Sequence, residues 1–147
     1  MDNRFTYNRV DQLVAVGVLM AASALLAVAH RLTPSASGFG THTQLGLPPC
    51  IFLSLTHLPC PSCGLTTCFA WAVRGEFGKA FLANPFGIVA FLLTAATIPT
   101  AIVLLWRRIS FRTITESDHF CKALYAVTAL YFLNWIFKLA EIQFAAH

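Results

Sequence analysis

Two stretches of this chain, residues 13–29 and 86–106, run without a single Asp, Glu, Lys or Arg. The hydrocarbon core of a bilayer is about 30 Å thick and takes about 20 apolar residues in helix, the form in which every backbone N–H and C=O is satisfied internally. Each stretch meets that length. The composition agrees: 57% of the 147 residues are hydrophobic and 11% charged, against ~25% charged in a typical soluble domain. Ten Lys and Arg with six Asp and Glu are too few to coat a soluble fold of this size. A soluble globular domain and a disordered segment are both excluded. The net charge of +4 invites a nucleic-acid reading, but the basic residues are scattered. Their densest group is Arg107, Arg108 and Arg112, which forms no stripe that could follow a phosphate backbone. The expected partner is the lipid bilayer, with a membrane protein as a second possible partner and no nucleic acid.

A third apolar segment, 123–137, is shorter and contains Asn134. It crosses only if Lys122 and Lys138 snorkel outward at its ends, and Asn134 must then point inward and be bonded. The expected architecture is all-α: one integral membrane helical bundle over residues 1–147, with spans at about 13–30, 86–106 and 122–139. Pro99 is expected to kink the second span, leaving Thr94, Thr97 and Thr100 to satisfy freed carbonyls. The first span follows Arg4 and Arg9 as a signal peptide would. Its apolar run exceeds the 7–15 residues of a typical signal core, and it reads as an uncleaved anchor. Arg4 and Arg9 precede the first span and Arg107, Arg108, Arg112 and Lys122 follow the second, whereas only Arg31, Arg74 and Lys79 lie between the two. By the positive-inside rule the N-terminus and the 107–122 loop are cytoplasmic and the 31–85 segment lies outside.

That outer segment is unusual because residues 32–73 also lack any charged side chain. Pro34, Pro48, Pro49, Pro59 and Pro61, with Gly38, Gly40, Gly46 and Gly64, forbid one continuous helix. Residues 65–73 read as a helix too short to cross. After Arg74-Gly75, residues 76–83 read as a second short helix with Phe77, Phe81 and Leu82 on one stripe. Asn84-Pro85 turns the chain into the second span. The pattern predicts a re-entrant or interfacial helical hairpin over a Cys- and Pro-rich loop, 32–85 in all.

Four of the five cysteines, Cys50, Cys60, Cys63 and Cys68, lie in this segment, and three readings of them stay open. In a metal knuckle, Cys60 and Cys63 grip one ion while Gly64 relieves crowding beside the second ligand; Cys50, Cys68, His57 and His42 are near enough in sequence to complete a zinc site. In a redox pair, Cys60 and Cys63 sit at a helix N-terminus starting at about Gly64, with Cys63 at the cap, where free N–H groups favour a thiolate. In the third, on an oxidising face, the cysteines are plain disulfides or inert buried thiols stapling a Pro-rich loop. Cys121, on the cytoplasmic side, reads as a small buried apolar residue.

The remaining polar residues suggest structure more than chemistry. His57 reads as an interfacial side chain before a ligand, and His30 and His119 as headgroup-level residues. Arg74 and Glu76 suggest a charge pair ending two helices. Trp71, Trp106 and Trp135 read as interface anchors or packing. Phosphate loop, catalytic triad, carboxylate pair and repeat are all missing.

Cys60-Pro61-Ser62-Cys63-Gly64-Leu65-Thr66-Thr67, followed by Arg74-Gly75-Glu76 and Asn84-Pro85, resembles the bacterial membrane family DUF2752, with its pattern CPxCGxTR, RGD or a variant, then NP and apolar residues. Cys50 is similar to the family's upstream Cys, and Asn134-Trp135 to its C-terminal signature. Thr67 stands where the family pattern has Arg. The resemblance covers about residues 47–92 and implies a small multi-pass protein of the bacterial inner (cytoplasmic) membrane. It implies no activity. With no acid, base or cofactor loop in the sequence, the leading expectation is a non-enzymatic accessory or assembly component without a cofactor. The alternatives are a membrane thiol–disulfide oxidoreductase using Cys60 and Cys63, and a zinc-binding membrane protein using the same cysteines. The first span is directly testable: Leu19→Arg should cost about 2.5–3.5 kcal/mol of insertion near the helix centre. Normal membrane yield of that variant would mean the segment is no anchor.

Overall fold

The computed structural model of the chain describes residues 7–145; Arg4, counted above toward a cytoplasmic N-terminus, lies outside them. The described residues form α-helices and no strand: α1 (Arg9–Arg31), a 3₁₀ turn (Thr41–Leu45), α2 (Ile51–Thr56), α3 (Leu65–Ala72), α4 (Phe77–Ala83), α5 (Pro85–Arg107), α6 (Arg112–Thr115) and α7 (Asp118–Ala145). Three helices, Arg9–Arg31, Pro85–Arg107 and Asp118–Ala140, are long and apolar enough to cross a membrane. At about 1.5 Å per residue, the eight-residue α3 reaches only ~12 Å and cannot.

α1 and α5 lie side by side. Ala15, Ala22 and Ala29, seven residues apart, are buried on α1, as are Ala101 and Leu104 on α5. Small residues at this spacing let two backbones approach closely where lipid supplies no hydrophobic drive for association. Both ends of α1 are closed by single charged side chains. At the N-terminus, Asn8 Oδ1 accepts from the Asp11 N–H (2.9 Å) and Asp11 Oδ2 from the Asn8 N–H (3.0 Å), a capping box. The other oxygen, Asp11 Oδ1, accepts from Ser110 Oγ (2.8 Å) and the Phe111 N–H (3.2 Å), so one buried carboxylate also ties α1 to the chain leaving α5.

At the far end Arg74 departs from expectation. Its guanidinium does not pair with Glu76, whose partner is Lys79 at 3.4 Å. It turns back onto α1 and donates to the carbonyls of His30 (2.6 Å), Leu32 (2.8 Å) and Ala29 (3.4 Å), as well as Ala70. The last carbonyls of a helix have no internal partner and carry its negative pole, which a five-donor cation satisfies better than a carboxylate two residues away could satisfy the cation.

α3 and α4 form the predicted short hairpin, packed through Cys68, Ala72, Ala80 and Ala83 with Trp71, Ile88 and Phe91 against them. Asn84 caps α5, and Pro85 takes its first position, where a missing N–H costs nothing. Pro99 sits inside α5 without ending it. The three threonines bond the carbonyls of Ala90, Thr94 and Ala96, not that of Ala95, the one Pro99 leaves free. α7 is longer than its apolar core suggests. Its Lys138 does not snorkel outward but is buried. Cys121, expected to be buried, is exposed on the same helix.

A side chain is also excluded at Gly87, on α5. A Cβ there would lie 2.6 Å from Cys68 Sγ and 2.8 Å from Cys68 Cβ. Gly87→Ala should therefore destabilise the protein by about 1–3 kcal/mol, and adding Cys68→Ala should recover part of the loss in a thermal-unfolding assay. Equal stability of Gly87→Ala and wild type would refute this packing.

Candidate functional site

The cysteine-bearing loop is shaped by its prolines and by one glycine. Pro59 and Pro61 flank Cys60, and the Cys63 N–H closes a turn on the Cys60 carbonyl at 3.0 Å. Gly64, at φ +83°, is the N-cap of α3, one residue later than expected, so Cys63 stands just outside the helix. A side chain on Gly64 would collide with the Ala83 carbonyl oxygen. The start of α3 can touch the end of α4 only because this residue is glycine. Cys50 caps the short α2.

This folding brings three of the four loop cysteines together. The Sγ atoms of Cys50, Cys60 and Cys63 all lie within 4.8 Å of one another, close enough to bind a metal ion. Cys60 Sγ is 3.1 Å from Cys63 Sγ, and the Cys60 N–H donates to Cys63 Sγ at 3.3 Å. The three thiols line a cavity of about 510 Å³ whose wall also includes His42, Phe39, Leu53 and Thr67. Cys68 is not among them; it is fully buried in the hairpin core against Gly87. His57 is the left-handed C-cap of α2 at φ +57° and also lies outside the cluster. Thr67, standing where the family pattern has Arg, is buried, and its hydroxyl meets that of Thr41 at 2.8 Å.

The thiols are electrostatically unequal. Backbone N–H groups at the start of α2, chiefly that of Leu53, hold Cys50 below the ordinary thiol range. Burial pushes the Cys63 thiol up to about 12 and that of Cys68 up to about 11. A bound cation would reverse the effect at Cys63, since metals bind thiolates and expel the protons.

The loop rests on α7 through four side chains. Tyr131 OH meets Ser62 Oγ at 2.8 Å, and Trp135 Nε1 donates to the Pro59 carbonyl at 3.0 Å. Lys138 Nζ donates to the Cys63 carbonyl at 2.7 Å and the Ala83 carbonyl at 3.4 Å. Asn134 reaches the turn behind the loop, where its Nδ2 donates to Asn84 Oδ1 (3.2 Å) and its Oδ1 accepts from the Phe86 N–H (3.2 Å). Asn84 Nδ2 in turn donates to the Cys63 carbonyl at 3.1 Å. Residues 131, 134, 135 and 138 follow the i, i+3, i+4, i+7 spacing of one helix face. That spacing was the available signal. The sequence marks Asn134 and reads Trp135 as an interface anchor or packing residue, while nothing in it singles out Tyr131.

Three membrane-length helices and a thiol cluster between the first two define a multi-pass helical membrane protein. Its residues 50–98 match the family model described as "Protein of unknown function (DUF2752)", in agreement with the resemblance read from the CPSCG, RGE and NP motifs. No curated protein and no solved structure matches the chain.

The unequal thiols give a pH-dependent expectation for reduced, metal-free protein. Alkylation proceeds through the thiolate, so Cys50 should be modified well before Cys63 at neutral pH. Cys63 should become reactive only as the pH nears its value of about 12. Peptide mapping after a timed alkylation reads this order, and faster labelling of Cys63 would contradict the burial argument.

Proposed function

We propose that this chain is a non-enzymatic integral membrane protein whose outer loop holds a zinc ion through Cys50, Cys60 and Cys63. The supporting observation is the third thiol. A redox pair needs only Cys60 and Cys63, whereas a tetrahedral zinc takes three or four protein ligands, and Cys50 joins the cluster from ten residues upstream. A tetrahedral site with Zn–S bonds of about 2.3 Å places its sulfurs ~3.8 Å apart. The observed limit of 4.8 Å and the 3.1 Å pair bracket that value, so small side-chain rotations suffice. Three thiolates around Zn²⁺ carry one net negative charge. The Lys138 ammonium, bonded to the Cys63 carbonyl, offsets it at short range where the surroundings screen poorly. Such a site would fasten the Cys50 segment to the CPSC loop, and through it to α7, a structural role that fits an accessory or assembly component. The positive-inside count supports a cytoplasmic N-terminus and thiols on the outer face.

A second reading rests on the 3.1 Å between Cys60 and Cys63 Sγ. Closing that gap to the ~2.05 Å of a disulfide would give an exchangeable bond with Cys50 as the neighbouring thiol. The two readings separate in one preparation. Protein purified anaerobically in detergent should hold about one zinc per chain. Cys50→Ser and the Cys60→Ser/Cys63→Ser pair should lose it, and Cys68→Ser should retain it. A metal-free protein with a reducible 60–63 bond supports the oxidoreductase reading, and one with neither defeats both.

A further inference from the structure

Three sulfurs leave one position of a tetrahedral ion open, and the cavity wall holds one more donor. His42 sits on the 3₁₀ turn Thr41–Leu45 and lines the same cavity as Cys50, Cys60 and Cys63, its ring nitrogens standing outside the 4.8 Å cluster of the three sulfurs. The turn is fixed on both sides. Thr41, fully buried, accepts from the Ser35 N–H at 3.0 Å and meets the Thr67 hydroxyl at 2.8 Å. Gln44 clamps Thr33 from both faces, accepting from its N–H at 3.0 Å and donating to its carbonyl at 2.6 Å. The turn therefore keeps His42 at the wall of the thiol cavity, and ligation takes an approach of its side chain toward the sulfurs.

The ring's own bond selects which nitrogen is available. His42 Nε2 lies 3.2 Å from the Pro48 carbonyl oxygen. A carbonyl only accepts, so Nε2 carries the proton and the neutral ring keeps its lone pair on Nδ1. Metal-bound histidines show the same arrangement, with the second ring nitrogen donating to a carbonyl or carboxylate that sets the tautomer and orientation. The acceptor here is two residues before Cys50, so the bond that orients His42 also ties it to the segment bearing the first thiol. We infer that His42 Nδ1 is the fourth ligand, completing a Cys₃His site. This rests on the zinc reading above. The binding step is balanced: Zn²⁺ displaces three thiol protons, the neutral imidazole loses none, and the resulting complex carries one negative charge.

The test uses the full-length protein in detergent, loaded with zinc, and compares wild type, His42→Ala, His42→Cys and His57→Ala. Chelator competition should show His42→Ala still binding one ion through the three thiolates, with affinity at least about 10-fold weaker, the scale on which even outer-shell changes act. His42→Cys should recover affinity, because a thiolate can take the vacant position, and His57→Ala should match wild type. X-ray absorption at the zinc edge should show imidazole scattering in wild type that disappears in both His42 variants. Zinc binding with unchanged affinity and unchanged imidazole scattering in His42→Ala overturns the assignment and leaves the three-thiol site standing. Loss of the imidazole signal in His57→Ala also overturns it. A wild type that binds no zinc defeats the zinc reading itself and this assignment with it.

Discussion

Asn84 is the residue on which the arrangement of this protein turns. It is fully buried, in a chain whose surroundings offer almost nothing to a polar side chain. Its amide nevertheless joins three separate parts of the fold: it donates to the Cys63 carbonyl and accepts from the Gly87 N–H and from Asn134 Nδ2. An unsatisfied amide in such a place costs about 1–3 kcal/mol per lost partner, so the start of α5, the CPSC loop and α7 hold their mutual positions or all pay together. Pro85 next to it fixes where α5 begins, and Gly64 lets α3 start against the end of α4. The thiols converge because this knot sets the loop that carries two of them.

The same logic runs through the rest of the molecule. With so few polar side chains, nearly every one is a fastener. Asp11 closes the N-terminus of α1 and grips the segment after α5, Arg74 closes its other end, and Lys138 and Trp135 hold the loop carbonyls. Among the described residues no buried side-chain nitrogen or oxygen lacks a partner. In lipid, where water cannot substitute for a missing bond, polar groups inside a bundle persist only when satisfied in this way. What distinguishes the thiol cluster is that its sulfurs have mainly each other.

The spans, the short hairpin and the Asn-Pro entry to α5 were legible in the sequence because each depends on local properties: uncharged length, turn residues and helical spacing. Partners were not. Arg74 reads in sequence as the partner of its neighbour Glu76, yet the unsatisfied carbonyls at the end of α1, some forty residues away, offer its guanidinium several acceptors at once. Lys138 was expected to reach for solvent, a sound rule for a lone lysine near a helix end, and it fails because two carbonyls of the loop face it. The cysteine spacing singles out Cys60 and Cys63 as a pair and leaves Cys50, Cys68, His57 and His42 open as further ligands. Only the packing of Cys68 against Gly87 removes one of them, and a histidine on a distant turn could gain weight only once Pro48 was seen to orient its ring.

The central claim is that Cys50, Cys60 and Cys63, held by the Asn84 knot, act as one three-sulfur site. Trivalent arsenic tests it most directly, because As(OH)₃ condenses with three converging thiols, releasing three waters and forming three As–S bonds. With reduced, metal-free wild type, intact mass and peptide mapping should find one arsenic joining the Cys50 peptide to the Cys60–Cys63 peptide, with Cys68 and Cys121 still free to alkylate. The Asn84→Ala protein should lose the link to Cys50. Arsenic held by Cys60 and Cys63 alone in wild type, or a three-sulfur adduct undiminished in Asn84→Ala, would contradict the account.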